Sequence, residues 1–155
     1  AYTIQYDFVQ PKKFDLKYID DQGKEAEVVV IHRSSIGAIE RIMAFLLEHY
    51  SGKLPTWLSP IQIEVIPISD SHLDNANNVQ EDLQKQGFRA EVNGKSEPMG
   101  AKIRDAQIQK IPYMLIVGDR EQVKKEVAVR DRDGKNLGTI SIENFVTHIQ
   151  KELPT

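Results

Sequence analysis

The stretch Val29-Val30-Ile31-His32-Arg33-Ser34-Ser35-Ile36-Gly37-Ala38-Ile39-Glu40-Arg41-Ile42-Met43-Ala44-Phe45 is where the chain changes character. An apolar strand beginning at Val28 hands over to an amphipathic helix, in which Ile39, Ile42, Met43, Leu46 and Tyr50 recur at helical spacing. Ser34 or Ser35 is placed to cap the helix by accepting backbone N–H bonds, and the spacing predicts a helix over 35–50. Two residues stand out. His32 closes the apolar run, where an imidazole is either a hydrogen-bonded strand-end residue or a ligand to something bound there. Arg41 has Gly37, Ala38, Ala44 and Phe45 three and four residues away, so its own helix offers no carboxylate. Such an arginine either snorkels to water or points its fork at an anion from elsewhere.

Working outward, residues 3–8, 14–19 and 27–31 read as strands, and the turn Asp20-Asp21-Gln22-Gly23 favours an antiparallel hairpin. These strands have little of their own to pack against and read as the edge of a larger sheet. Leu54-Pro55-Thr56-Trp57-Leu58-Ser59-Pro60 reads as a rigid, proline-bounded connection. From Ile61 the pattern alternates: strand 61–66, a helix from Ser69 or Asp70 to about Gln86, strand 88–92, helix 99–110, the apolar run Tyr113-Met114-Leu115-Ile116-Val117, paired strands 126–130 and 137–140, and a helix over 142–152. The order β-α-β-α-β-β-α predicts an α/β fold with a mixed five-stranded sheet and helices on both faces. The expected division is 1–53, a linker at 54–60, and a second domain at 61–155.

Composition narrows the function. The 155 residues carry a formal net charge of −3, which argues against wholesale polyanion binding. Charge is unevenly spread, however: 102–135 holds nine basic and six acidic side chains in an otherwise acidic chain, which localises any nucleic-acid contact there. There is no cysteine, so disulfides are excluded and a tetrahedral zinc site could draw only on histidine and carboxylate. His49, His72 and His148 show no ligand spacing with His32, so any zinc held by His32 needs ligands from outside the chain. No signal peptide or membrane span is expected, and the cysteine-free composition suits a cytoplasmic protein.

The segment His32 to Arg41, with Gly37-Ala38-Ile39-Glu40-Arg41 similar to motif 3 of class II aminoacyl-tRNA synthetases, resembles the end of the catalytic domain of the threonyl-tRNA synthetase family. Gly52-Lys53-Leu54-Pro55-Thr56-Trp57-Leu58-Ser59-Pro60 extends that likeness. Residues 61–152 resemble the anticodon-binding domain shared by the threonyl, prolyl, histidyl and glycyl enzymes. Gly100-Ala101-Lys102-Ile103-Arg104-Asp105-Ala106-Gln107, Lys110-Ile111-Pro112-Tyr113-Met114-Leu115 and Gly118-Asp119 favour the threonyl branch.

The resemblance implies roles residue by residue. Arg41 is implied as the catalytic arginine on the ATP phosphates, Gln5 as a residue near the ATP ribose, and His32 as one ligand of the zinc that selects threonine. Gln5 reads equally well as an exposed strand glutamine. Anticodon contacts are implied for Ser96, Arg104, Glu121 and Arg130, with Lys102 and Lys110 as phosphate contacts. The implied partners are tRNA(Thr), threonine and ATP with Mg, in a homodimeric enzyme. The loop Asn93-Gly94-Lys95 departs from the family's usual acidic and basic run, Ser96 replaces an asparagine, and Pro98 replaces a lysine.

The first domain is read as the remnant of a truncated catalytic domain, because motifs 1 and 2 and the other zinc ligands are not in this sequence. The chain alone is expected to be catalytically incompetent. The competing reading is a non-enzymatic tRNA-binding or accessory module with an anticodon-binding fold. A sister class II synthetase carrying the same domain is the third.

Overall fold

The computed structural model describes residues 3–34, 37–124 and 126–152, and its chain divides into two units, Ala1–His49 and Tyr50–Thr155. The first unit contains β1 (Thr3–Asp7), α1 (Val9–Lys13), β2 (Lys17–Ile19), β3 (Glu25–Glu27), β4 (Val30–Ser34) and α2 (Ile39–His49). They form two separate antiparallel pairs, β1 with β4 and β2 with β3. The predicted hairpin forms around its turn, where Asp20 Oδ1 accepts the N–H groups of Gln22 and Lys24 and Gly23 takes a φ of 75°. The partner of β2 is Glu25–Glu27, however, while Val30–Ser34 pairs instead with β1.

Two local features set the element boundaries. Asp7 Oδ1 accepts the N–H groups of Val9 and Gln10 at 2.9 Å, ending β1 and starting the short α1. Ser34 Oγ accepts the Gly37 N–H at 2.8 Å, and Gly37 has a φ of 75°, so α2 is described from Ile39 onward. The possible cap Ser35 lies outside the described residues.

The second unit contains β5 (Ile63–Pro67), a 3-10 turn (Asp70–His72), α3 (Leu73–Lys85), β6 (Ala90–Val92), α4 (Met99–Ile108), β7 (Tyr113–Val117), α5 (Asp119–Lys124), β8 (Glu126–Asp131), β9 (Asn136–Ser141) and α6 (Ile142–Gln150). Sheet order is β6-β5-β7-β8-β9, with the first three parallel and the last two antiparallel. This is the expected mixed five-stranded sheet, with α5 added between β7 and β8.

Strand alternation builds the core on both faces. Ile63, Val65, Tyr113, Leu115, Val117, Val127 and Val129 point to one face, where Ala76, Val79 and Leu83 of α3 and Phe145, Val146 and Ile149 of α6 cover them. Ile66, Met114 and Ile116 point to the other, under Ile103 and Ala106 of α4. The 54–60 stretch, read as a connection, is bonded into this unit. Gln62 Nε2 donates to Thr56 O, Arg89 donates to Trp57 O and Ser59 O, and Arg132 donates to Leu54 O.

Candidate nucleic-acid interface

The two helix-bearing faces of the sheet are not equivalent. One carries α3 and α6, whereas the other, among the described residues, buries its apolar side chains under α4, packed over β5 and β7. On the α4 side, the outer strands β8 and β9 present Ala128, Arg130, Asn136 and Thr139, as their register with Ile116 and Met114 requires. Thr139 and Asn136 are exposed and Arg130 is half-buried. Arg130 sits where the β8–β9 register shifts, opposite Asn136, while its neighbour Val129 faces Gly138 at a φ of 93°, so a bulge falls between these pairs.

Arg104 flanks the same surface. It and Lys102 lie about 200° apart around α4. Lys102 points to the β5–β6 side, where its Nζ meets Pro67 O and Asn93 O, so Arg104 takes the β8 side. Gln107, on that same flank, approaches Gly134 in the β8–β9 turn. The side chains of Arg104 and Arg130 make no hydrogen bond or ion pair among the described residues, whereas those of Arg89 and Arg132 are tied to backbone carbonyls. Two open guanidinium forks beside an uncovered polar strand surface can bind phosphates or base edges.

The other expected residues are dispersed. Ser96 is exposed on the loop leading into α4. Glu121, on α5, lines a cavity of about 320 Å³ with Asn75, Asn78 and Asp82 of α3 and with Glu126, on the α3 side of the sheet and away from Arg130. Lys110 follows the C-terminal end of α4 with a φ of 61°, and its charge helps hold the Asp133 carboxyl below its ordinary range, after the closer Lys53. Lys102 departs from the expectation: it is 3% exposed, its ammonium is spent on two main-chain carbonyls, and it is not a surface phosphate contact. The reason is its place on α4 next to Ile103, on the flank facing β5 and β6.

Sequence reading missed Glu64. It is 6% exposed, accepts a hydrogen bond from Asn93 Nδ2 at 2.6 Å, and burial raises its pKa above the ordinary value. An acid on the alternating strand Ile63-Glu64-Val65-Ile66 was the available signal, since both faces of a central strand are covered.

In the first unit, β1 and β4 set Gln5 directly opposite His32. Thr3, Gln5, Asp7, Gln10, His32, Arg33 and Ser34 line a cavity of about 450 Å³. His32 Nε2 lies 3.0 Å from Asp7 Oδ2. The Gln10 and Val9 N–H groups, with His32 beside them, hold the Asp7 carboxyl below its ordinary pKa, so it accepts and Nε2–H donates. That leaves Nδ1 with its lone pair in the neutral ring, fit for one metal bond. No group of three or more metal-ligating side chains occurs among the described residues. Arg41 is exposed on α2 and does not line this cavity. Among the described residues, no helix is long and apolar enough to cross a membrane.

Comparison with known proteins agrees with this fold. Residues 62–152 match the anticodon binding domain family, and residues 1–50 match the core domain of class II tRNA synthetases of the G, H, P, S and T group. The chain is 50% identical over 152 residues to a threonine–tRNA ligase of Geobacillus sp. (strain WCH70), covering 97% of this chain and 24% of that protein. It is 52% identical over 145 residues to threonine–tRNA ligase 1 of Bacillus subtilis (strain 168), covering 93% and 23%. It thus spans about a quarter of the length of these relatives. The solved RNA binding domain of threonyl-tRNA synthetase from Cryptosporidium parvum superposes with a TM-score of 0.78 at 34% identity, covering 100% of this chain and 40% of that one. A prolyl-tRNA synthetase from the same organism, at 20% identity and a TM-score of 0.67, covers 92% and 32% and shares the fold.

Proposed function

The chain belongs to the anticodon-binding domain family, and on that premise we propose that it is the C-terminal part of a threonine–tRNA ligase whose second unit reads the anticodon of tRNA(Thr). The observation that carries this reading is the pair of unengaged guanidinium groups, Arg104 and Arg130, along the uncovered β8–β9 surface. Unpaired anticodon bases expose their edges, and an arginine fork donates two parallel bonds to such an edge. Ser96 contributes a hydroxyl from the loop before α4 and Lys110 supplies charge for the phosphate backbone, while Glu121, on the α3 side, accepts from an exocyclic amine only of a base that reaches beyond this surface.

In the intact enzyme, acting as a homodimer in the cytoplasm, the first unit contributes to threonine activation. Arg41 stabilises charge on the ATP phosphates as the threonine carboxylate attacks, and Gln5 lines the adenylate pocket. His32 supplies one nitrogen to a zinc site completed from outside this chain, with Asp7 orienting its ring. Zinc, when bound, supplies a Lewis-acidic centre that discriminates threonine's hydroxyl from the methyl group of valine. In the full-length enzyme, His32→Ala is expected to abolish stoichiometric zinc; metal analysis finding zinc retained would remove His32 from the site.

The first test is binding of the 155-residue chain to a threonine-anticodon stem-loop and to one with the anticodon changed, at two salt concentrations. Selective binding that survives added salt is expected. Weak binding that ignores the anticodon and collapses with salt would favour an accessory module instead.

A further inference from the structure

Lys102 is a buried cation with no carboxylate partner among the described residues. Burying an ammonium is costly unless its protons are satisfied, and a methionine or leucine could occupy the same volume without that cost. What the ammonium meets is specific. It donates to Pro67 O, at the C-terminal end of β5, and to Asn93 O, just past the end of β6. It therefore ties together two adjacent strands at the point where the 93–98 loop departs.

Asn93 is held through all four of its polar groups. Its N–H donates to Val65 O at 2.9 Å, its Nδ2 donates to the buried Glu64, its carbonyl accepts from Lys102, and its Oδ1 accepts from Lys95 N. Beyond this root the loop is lightly held. Ser96 is exposed and its side chain makes no bond among the described residues, while Lys95 reaches Asp105 of α4 at 3.5 Å. The direction in which Ser96 projects is thus set at Asn93.

We propose that Lys102 is a positioning residue for anticodon recognition: through Asn93 and Pro67 it holds the 93–98 loop so that Ser96 meets the base it reads. The inference rests on the anticodon reading above. Without Lys102 the loop samples more conformations, and a ligand must order it on binding. That cost falls on the complex that uses the loop, the cognate one, and spares binding through phosphates alone.

The test measures affinities for the threonine-anticodon stem-loop and a changed-anticodon stem-loop at fixed salt, for the unaltered chain, Lys102→Met, Ser96→Ala and the double variant. Lys102→Met is expected to weaken cognate binding roughly three- to tenfold, to leave the changed stem-loop nearly unaffected, and to be non-additive with Ser96→Ala. Should Lys102→Met fail to fold, Lys102→Gln carries the same test, because it keeps an amide donor and loses the charge. Equal losses for both stem-loops with a shallower salt dependence would overturn the inference and make Lys102 a phosphate contact. Unchanged selectivity with only a lower thermal midpoint would overturn it in favour of a purely structural lysine. No preference in the unaltered chain would bring down the anticodon reading and this inference together, whereas preference retained in both lysine variants would bring down this inference alone.

Discussion

The two units solve the problem of amphipathic elements in opposite ways. In Tyr50–Thr155 each apolar stripe meets another: Leu83, Leu115 and Phe145 are fully buried. In Ala1–His49 the stripes meet little: Pro11 is the only buried residue among those described, and α2 buries none of its own. Phe45 is 60% exposed and Ile39 70%. Yet β1 and β4 still order a polar face, with Gln5 opposite His32 and Asp7 bonded to that histidine. The lesson is that backbone pairing and local side-chain bonds can lay out a site on one face while the opposite face, with Ile4, Tyr6 and Ile31 exposed, stays without a core.

The sharpest way to break this comparison is stability. Phe145→Ala removes a fully buried ring that packs edge-on against Tyr113, and is expected to cost about 3–5 kcal/mol in denaturant unfolding of the second unit. Phe45→Ala, on the first unit, is expected to stay within about 0.5 kcal/mol in this chain. A comparable loss at Phe45 would mean that the exposed stripe is covered in solution.

Binding separates residues inside the second unit. Arg130→Ala is expected to weaken binding of the threonine-anticodon stem-loop by roughly 1–3 kcal/mol and to relax anticodon preference, with little change in unfolding midpoint. Arg89→Ala, which loses bonds to Trp57 O and Ser59 O, should do the reverse. An equal loss for every stem-loop on replacing Arg130 would reduce it to a phosphate contact.

Smaller effects contrast the two perturbed acids. Glu64 has a raised pKa through burial, so the folded state holds its proton more tightly than the unfolded state. Its contribution is fully present below the unfolded glutamate value of about 4.3 and is lost as pH rises through the folded value. Glu64→Gln is expected to remove that downward slope of stability with pH. Asp7 is perturbed the other way by the Gln10, Val9 and His32 N–H groups, so its contribution is present above the unfolded aspartate value and is lost as pH falls through the folded value. Asp7→Ala should abolish this acid-side loss and shift the His32 ring resonances in an NMR titration. Unchanged ring resonances would argue that the pair does not persist in solution.

Much of the second unit is readable from local chemistry alone. The unbroken run 113–117 announces a strand covered on both faces, and the periodicity of Ala76, Val79 and Leu83 announces the buried side of α3. In the first unit the strand boundaries were harder, because Asp7 uses its side chain to start α1 and Val30–Ser34 pairs across more than twenty residues with β1. The short α5 escaped the reading as well, since its six residues carry no apolar period.

The site divides along the same line. Residue types and spacing were sufficient to single out Arg41 and His32, and charge distribution to point to 102–135, whereas Arg104 and Arg130 were nominated within that stretch by the resemblance to the synthetase family. They were not sufficient to tell which lysine faces water. Lys102 and Lys110 look alike along the chain, and only the direction of Lys102 around α4, set by how Ile103 and Ala106 seat that helix on the sheet, buries its ammonium against carbonyls, while Lys110 lies beyond the helix end. The same packing decided that Arg104 and Arg130 share a surface and that Glu121 lies on another. Which face of a sheet a helix covers is settled by contacts between residues far apart in sequence, and no local pattern encodes it.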